Sequence, residues 1–354
     1  TGDGPFTWIG GLFYLDETIP LTLLRYNLST VLRNTAPTST IVTDALNSSQ
    51  SLFGQVSYAL TPQWQVIAGA RYSKDEQKYN RITSPGGTGI GVQKSNQTTG
   101  RMALNWKPRT DLMAYLSYSR GYKGGGVNLG AADPNYLPEV NDVTELGLKT
   151  TLLDGHLRIN ADVFHSDYKN IQLSSLAGVP PAPVTQNAAS GVSNGGELEL
   201  QAVFGGWAIN AGFAQLDATF GRDTTLQNAV ANQNQLVPKG RDLPFSPGTT
   251  ANAGVQYRWL VAGGTLTPRL QYAHVGSQYA TSFPSAVTLV PSRGIVDARL
   301  TYATGSGWRV EAALTNLGDK VYIASQVQNS STADGGIIYG APRQASLRIS
   351  KQFN

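Results

Sequence analysis

Few side chains in this sequence could do covalent or metal chemistry, and they are scattered. The three histidines are His156, His165 and His274, beside a turn, inside one strand pattern and near the end of another. A zinc site needs its ligands close together, and a hydrolytic pair needs a nucleophile next to its base. The spacing offers neither, so no metal, cofactor or catalytic residue is expected. Cysteine is absent, which removes thiolate ligands and disulfides and is compatible with an oxidising compartment. What remains is recognition chemistry. In "SRGYKGGG", Arg120, Tyr122 and Lys123 put two cations and a phenol where an alternating run meets a glycine-rich loop, from which they can reach a ligand. The same types also suit an interfacial tyrosine between solvated cations, with Gly124 to Gly126 allowing a tight bend.

A second set of polar residues is defined by alternation. In "TELGLKTTLLDGHLRINADVF", residues 144–164, Glu145, Gly147 and Lys149 share one side and Leu146, Leu148 and Leu152 the other. Arg158, Asn160 and Asp162 oppose Leu157, Ile159, Ala161 and Val163 in the same way. Apolar faces of this kind recur as Trp64, Val66, Ala68, Ala70, Tyr72; Leu112, Ala114, Leu116, Tyr118; Trp207, Ile209, Ala211, Phe213; and Trp308, Val310, Ala312, Leu314. The opposite faces collect Glu145, Lys149, Arg158, Asp162, Glu197, Glu199, Arg258, Asp297, Arg299, Arg309, Glu311 and Arg348.

Composition says which face is inside. Only 14% of residues are charged, against roughly 25% in ordinary soluble domains, so a fully solvated surface is hard to build. No run approaches the roughly 18 apolar residues of a spanning helix. A lysine or arginine facing lipid near the midplane would cost roughly 2–4 kcal/mol. The apolar faces are therefore expected to face lipid, and the charged faces to line a watery lumen. The net charge of +4 is dispersed, which gives no basic footprint for nucleic acid.

The elements that must position these residues are strands. Alternating runs near 6–16, 50–60, 64–80, 96–106, 111–122, 141–153, 156–173, 192–204, 207–220, 249–260, 264–275, 292–302, 307–324 and 338–353 predict about fourteen of them. Tight turns rich in Gly, Pro and Asp alternate with long polar loops near 18–49, 82–95, 123–140, 174–191, 221–248, 276–291 and 325–337. Strict alternation puts every long loop at one end of an antiparallel up-and-down meander, the plan of outer-membrane β-barrels with short periplasmic turns and long extracellular loops. Trp8, Trp64, Trp106, Trp207, Trp259 and Trp308 all adjoin the chain's start or a short turn, as a belt of indoles at the periplasmic membrane interface would. Tyr72, Tyr118, Tyr122, Tyr168 and Tyr322 lie toward the other strand ends and supply the opposite belt. Unpaired backbone groups are costly in lipid, so the finished sheet is expected to close.

Longer segments add a resemblance. "YLSYSRGYKGGGVN" (115–128), "TELGLKTTLLDGHLRINADVFHSDYKNIQ" (144–172), "GGELELQAVF" (195–204), "LPFSPGTTANAGVQY" (243–257), "ALTNLGDKVY" (313–322) and "YGAPRQASLRISKQF" (339–353) resemble, in order, blocks of the TonB-dependent outer-membrane receptor family. The resemblance implies a Gram-negative outer-membrane location and ligand-gated uptake of a scarce, bulky solute such as a metal-chelating siderophore. It also implies coupling to a TonB-type energy-transducing complex through an N-terminal plug and coupling segment. Residues 1–354 read as the C-terminal barrel portion without that plug, and with fewer strands than the roughly 22 of such transporters.

Two other classes compete. A fourteen-stranded barrel closed on itself would be a passive pore, and a soluble β-sandwich or lectin would have to bury both apolar faces. If a loop occludes the lumen, the segment after Phe220 is the one expected to fold inward. The loops carry no motif that identifies a substrate.

Overall fold

The computed structural model describes residues 4–26, 31, 36–128, 135–177, 182–228, 233–328 and 335–353. Fourteen long strands form one sheet in strict chain order. They are β1 (Phe6–Arg25), β2 (Ser39–Ala59), β3 (Trp64–Ser84), β4 (Thr88–Arg109), β5 (Leu112–Lys123), β6 (Glu139–Leu152) and β7 (Leu157–Ala177), followed by β8 (Ala182–Phe204), β9 (Trp207–Phe220), β10 (Thr249–Tyr257), β11 (Gly264–Val275), β12 (Arg293–Thr304), β13 (Trp308–Thr315) and β14 (Gln344–Lys351). Each pairs antiparallel with the next, which makes an all-β up-and-down meander. The short segment Trp259–Val261 continues β10 along β11. The interruption falls opposite Pro268, which has no N–H to give the ladder.

The short turns are where the turn residues predict them. Leu153 and Asp154 at φ 55° and Gly155 at 92° close β6 onto β7. Gly205, Gly263 and Gly307 also take positive φ, where a side chain would be strained.

The far ends differ from the expectation. Much of the predicted loops 18–49, 82–95 and 174–191 is strand: β1 pairs with β2 up to Arg25↔Ser39, β3 with β4 up to Ile82↔Thr88, and β7 with β8 up to Ala182↔Ala177. Beyond the apolar zone both faces of a hairpin are wet, so alternation fades while ladder hydrogen bonds persist. The predicted strand 307–324 is broken at Thr315. Asn316 and Asp319 take φ of 50° and 47°, and the Asn316 side chain is fixed by donating to Lys320 O (2.9 Å) and Ala341 O (3.1 Å) and accepting from Lys320 N (2.9 Å).

Packing separates the two faces. The apolar face carries exposed side chains along the sheet, with Leu12 at 83%, Met102 at 63% and Val163 at 57%, a broad apolar surface that a water-soluble protein rarely shows. The polar face takes the inward contacts: Arg269 on β11 donates to Asn210 on β9, past β10, at 2.7 Å, and loop segments fold onto it. Among the described residues, no pairing joins β1 to β14, so the expected closure is not made by these fourteen strands on one another.

Candidate functional site

The inward wall and its long-loop end are the candidate site. Register fixes the wall, since residues paired across antiparallel strands share a face. Glu145, Lys149, Arg158, Asp162, Glu197 and Glu199 lie on the face opposite Leu146, Leu148, Val163 and Leu198. Asp297, Arg299, Arg309, Glu311 and Arg348 share the corresponding face farther along the sheet. Arg258 sits between β10 and Trp259–Val261 and follows Gln256 in the alternation.

The wall is electrically divided. On β6 to β8 carboxylates dominate, with Glu197 directly opposite Asp162, Asn160 donating to Glu199 at 3.2 Å and the Tyr115 hydroxyl donating to Glu145. Lys149 lies over the Tyr115 ring at 5.5 Å. On β11 to β14 arginines dominate: Arg309 contacts Glu311 at 3.0 Å and Arg299 approaches it at 3.7 Å, with Arg348 in register opposite the same residue.

The three ligand candidates are not brought together. Arg120 pairs with Gly100 and Asp142, in the outward row that also holds Tyr118, Leu116 and Ala114. Its guanidinium makes a bidentate bond to Asp142 at 2.6 and 2.8 Å, and Tyr118 and Lys169 hold the same carboxylate. The alternation that turns Leu116 outward carries Arg120 with it, so the expected reach over the lumen is not made. Lys123 pairs with Glu139 at the end of β5. Tyr122 lies past the last β4–β5 pair, and its hydroxyl donates inward to Asp75 on β3, which also accepts from Ser49 at 2.7 Å.

That inward corner holds residues the sequence reading passed over. Arg71 donates to Ser51 and Ser73 at 2.8 and 3.0 Å and stands 5.1 Å from the Phe13 ring and 5.7 Å from the Phe53 ring. The described parts of the β5–β6 connection, 124–128 and 135–138, fold into the notch between the taller β3–β4 and β7–β8 hairpins. Asn135 reaches Val92 O on one side, and Asn128 exchanges two hydrogen bonds with the Thr185 backbone on the other. Burial, with Tyr79 nearby, raises the Tyr136 pKa. Arg71 and Asp75 were legible, because they alternate with Ala70 and Tyr72. The notch was not, since it depends on unequal strand lengths.

Tyrosines divide similarly. Tyr72 and Tyr118 face outward. Tyr168 shares a face with Gly191 and Phe220, and Tyr322 lies under the Arg293 guanidinium, 5.7 Å away; both belong to the interior. All six tryptophans are exposed, between 38% and 61%, at the short-turn end. Trp64 stacks on Trp106 at 5.8 Å, and Tyr257 lies between Trp207 at 4.8 Å and Trp259 at 5.3 Å. His165 is on the outward face and bonds Asn194 and Asp167 at 2.7 and 3.2 Å. Among the described residues no His, Asp and Glu cluster could hold a metal ion.

A wide antiparallel sheet with an apolar outside, a charged inside and aromatic residues along its short-turn end defines the wall of a membrane β-barrel. The model of the family described as "TonB dependent receptor-like, beta-barrel" matches residues 2–317, and the chain belongs to that family. Among curated relatives, "Probable TonB-dependent siderophore receptor PiuA" of Acinetobacter baumannii is 24% identical over 294 residues, covering 79% of this chain and 38% of its own. "Probable TonB-dependent receptor BfrD" of Bordetella pertussis is 24% identical over 306 residues, covering 80% and 39%. Among solved structures, the ferric yersiniabactin uptake receptor FyuA from Yersinia pestis superposes with a TM-score of 0.82 at 19% identity, covering all of this chain and 52% of FyuA. The siderophore receptor PiuA from A. baumannii gives 0.77 at 18% identity, covering 99% and 54%. The chain thus spans well under two thirds of the length of these proteins.

Proposed function

We propose that this chain forms the lipid-facing wall and part of the ligand mouth of an outer-membrane receptor in a Gram-negative bacterium. The receptor takes up a scarce, bulky solute such as a siderophore-type metal chelate, driven by a TonB-type energy-transducing complex. The family match over residues 2–317 carries this reading. Among the described residues the outer edges of β1 and β14 are unpaired, which speaks against a passive pore closed by these strands alone, because free backbone groups are costly in lipid. The bulk of the work assigned to this chain is positioning and recognition, as for its family, rather than catalysis.

Within this reading the six tryptophans sit at the periplasmic membrane interface and the long connections are extracellular. The inward charges line the lumen, keep it hydrated and meet whatever occupies it. Tyr122 and Lys123, joined by Tyr136, are the side chains assigned to solute contact, while Arg120 belongs to the outer rim. The test is growth of a deletion strain on chelated iron as sole iron source. The intact receptor should restore growth, and loss of the TonB-type complex or of the proton gradient should abolish it. Restored growth that survives both treatments would refute energy-coupled uptake.

A further inference from the structure

We infer that residues 221–228 and 233–248 form a fixed inward roof over the β7–β9 side of the lumen, and not a gate that swings open when the cell is energised. The inference rests on the receptor reading for its meaning. Thr224–Asn228 pairs antiparallel with Gln233–Val237, and burial alternates along Thr224, Thr225 and Leu226, with Val237 buried opposite Thr224. Leu226 is 4% exposed and Val237 1%, whereas Leu236 is 59% exposed. One face is dry and the other is wet, as in a hairpin laid on a wall.

The dry face meets residues of the inward side of the barrel. Leu226 and Val237 form one buried cluster with Phe220, Ala188 and Ile171, flanked by Leu243. Phe220 is in register with Gly191, where a Cβ would stand 2.3 Å from Ile171 Cδ1 and 3.3 Å from Leu243 Cδ1; the absence of a side chain at Gly191 is what lets the roof sit this low.

Backbone bonds pin the segment where it leaves and rejoins the wall. Phe220 N donates to Arg241 O and Gly240 N to Phe220 O, both at 2.8 Å, and Leu243 N donates to Ala218 O at 2.9 Å. The Phe220–Arg241 and Leu243–Ala218 bonds together set Thr219 opposite Asp242 as an antiparallel bridge, and Lys239 N donates to Asp223 at 2.8 Å. Swinging the hairpin away would break this set together and wet the whole cluster, so opening is a cooperative local unfolding and not a hinge motion.

The test uses single-cysteine variants of the intact receptor on whole cells with a small, membrane-impermeant maleimide; residues 1–354 contain no cysteine, and the parent receptor without an introduced cysteine sets the background. Leu236→Cys should react readily. Leu226→Cys and Val237→Cys should react at least about tenfold more slowly, equally in energised cells and in cells treated with a protonophore. Two buried positions are used so that one variant failing to assemble, seen as loss of heat-modifiable migration, leaves the other to decide. Fast labelling of either buried position, in resting or energised cells, would overturn the fixed roof, and so would protection of all three. Labelling requires no solute, so failure of the uptake reading would show in growth on chelated iron and leave this result standing.

Discussion

Replacing Leu148 by arginine tests the assignment of faces most directly. Leu148 is 40% exposed and pairs with Ala114 on β5 and Ala161 on β7, so its surroundings on the outward face are apolar. It lies four residues from Leu152, the last residue of its strand. At about 3.3 Å per residue and a tilt of about 40°, that is about 10 Å along the membrane normal. A band about 25 Å tall puts it close to the midplane, where arginine costs about 2–4 kcal/mol. The neighbouring Lys149→Leu change removes an inward cation 5.5 Å from the Tyr115 ring, an interaction worth about 0.5–1 kcal/mol at an exposed site. Urea unfolding of the receptor in lipid vesicles, followed by tryptophan fluorescence, should therefore lower stability at least twice as much for Leu148→Arg as for Lys149→Leu. Equal losses, or a greater loss for Lys149→Leu, would refute the assignment of inside and outside.

Three further outcomes are expected. Phe220→Ala, at a fully buried position, should cost the roof about 3–5 kcal/mol; protease should then cut between 221 and 248 while the barrel itself stays resistant. Asn316→Ala removes three hydrogen bonds to the backbone of Lys320 and Ala341 and should destabilise the β13–β14 corner by about 2–3 kcal/mol, read as earlier urea unfolding with unchanged insertion. Asp142→Asn takes a carboxylate that is only 13% exposed from Arg120, Tyr118 and Lys169; it should cost about 1–3 kcal/mol and leave solute-dependent growth intact, whereas abolished growth at unchanged receptor level would return Arg120 to the ligand site.

The sequence alone determined the strand class, the order of the meander, the short turns and the sorting of charge from apolar surface. All of these follow from local rules: two-residue alternation under a lipid penalty, and turn residues such as Gly155, Gly205 and Gly307 at positive φ. Glu145, Lys149 and Asp162 were legible as one face because Leu146, Leu148 and Val163 mark the other. Arg120 was legible too, by the same parity, although its neighbourhood to Tyr122 and Lys123 suggested a shared task. Tertiary structure alone decided what depends on register and on unequal strand length. Tyr122 reaches Asp75 because β5 parts from β4 after Arg120. The described ends of the β5–β6 connection enter a notch because β3–β4 and β7–β8 rise beyond it, and Phe220 is buried because a segment following it in the chain folds back onto the wall. Such contacts join residues by the height at which strands end, a quantity that side-chain alternation does not encode once both faces of a strand stand in water.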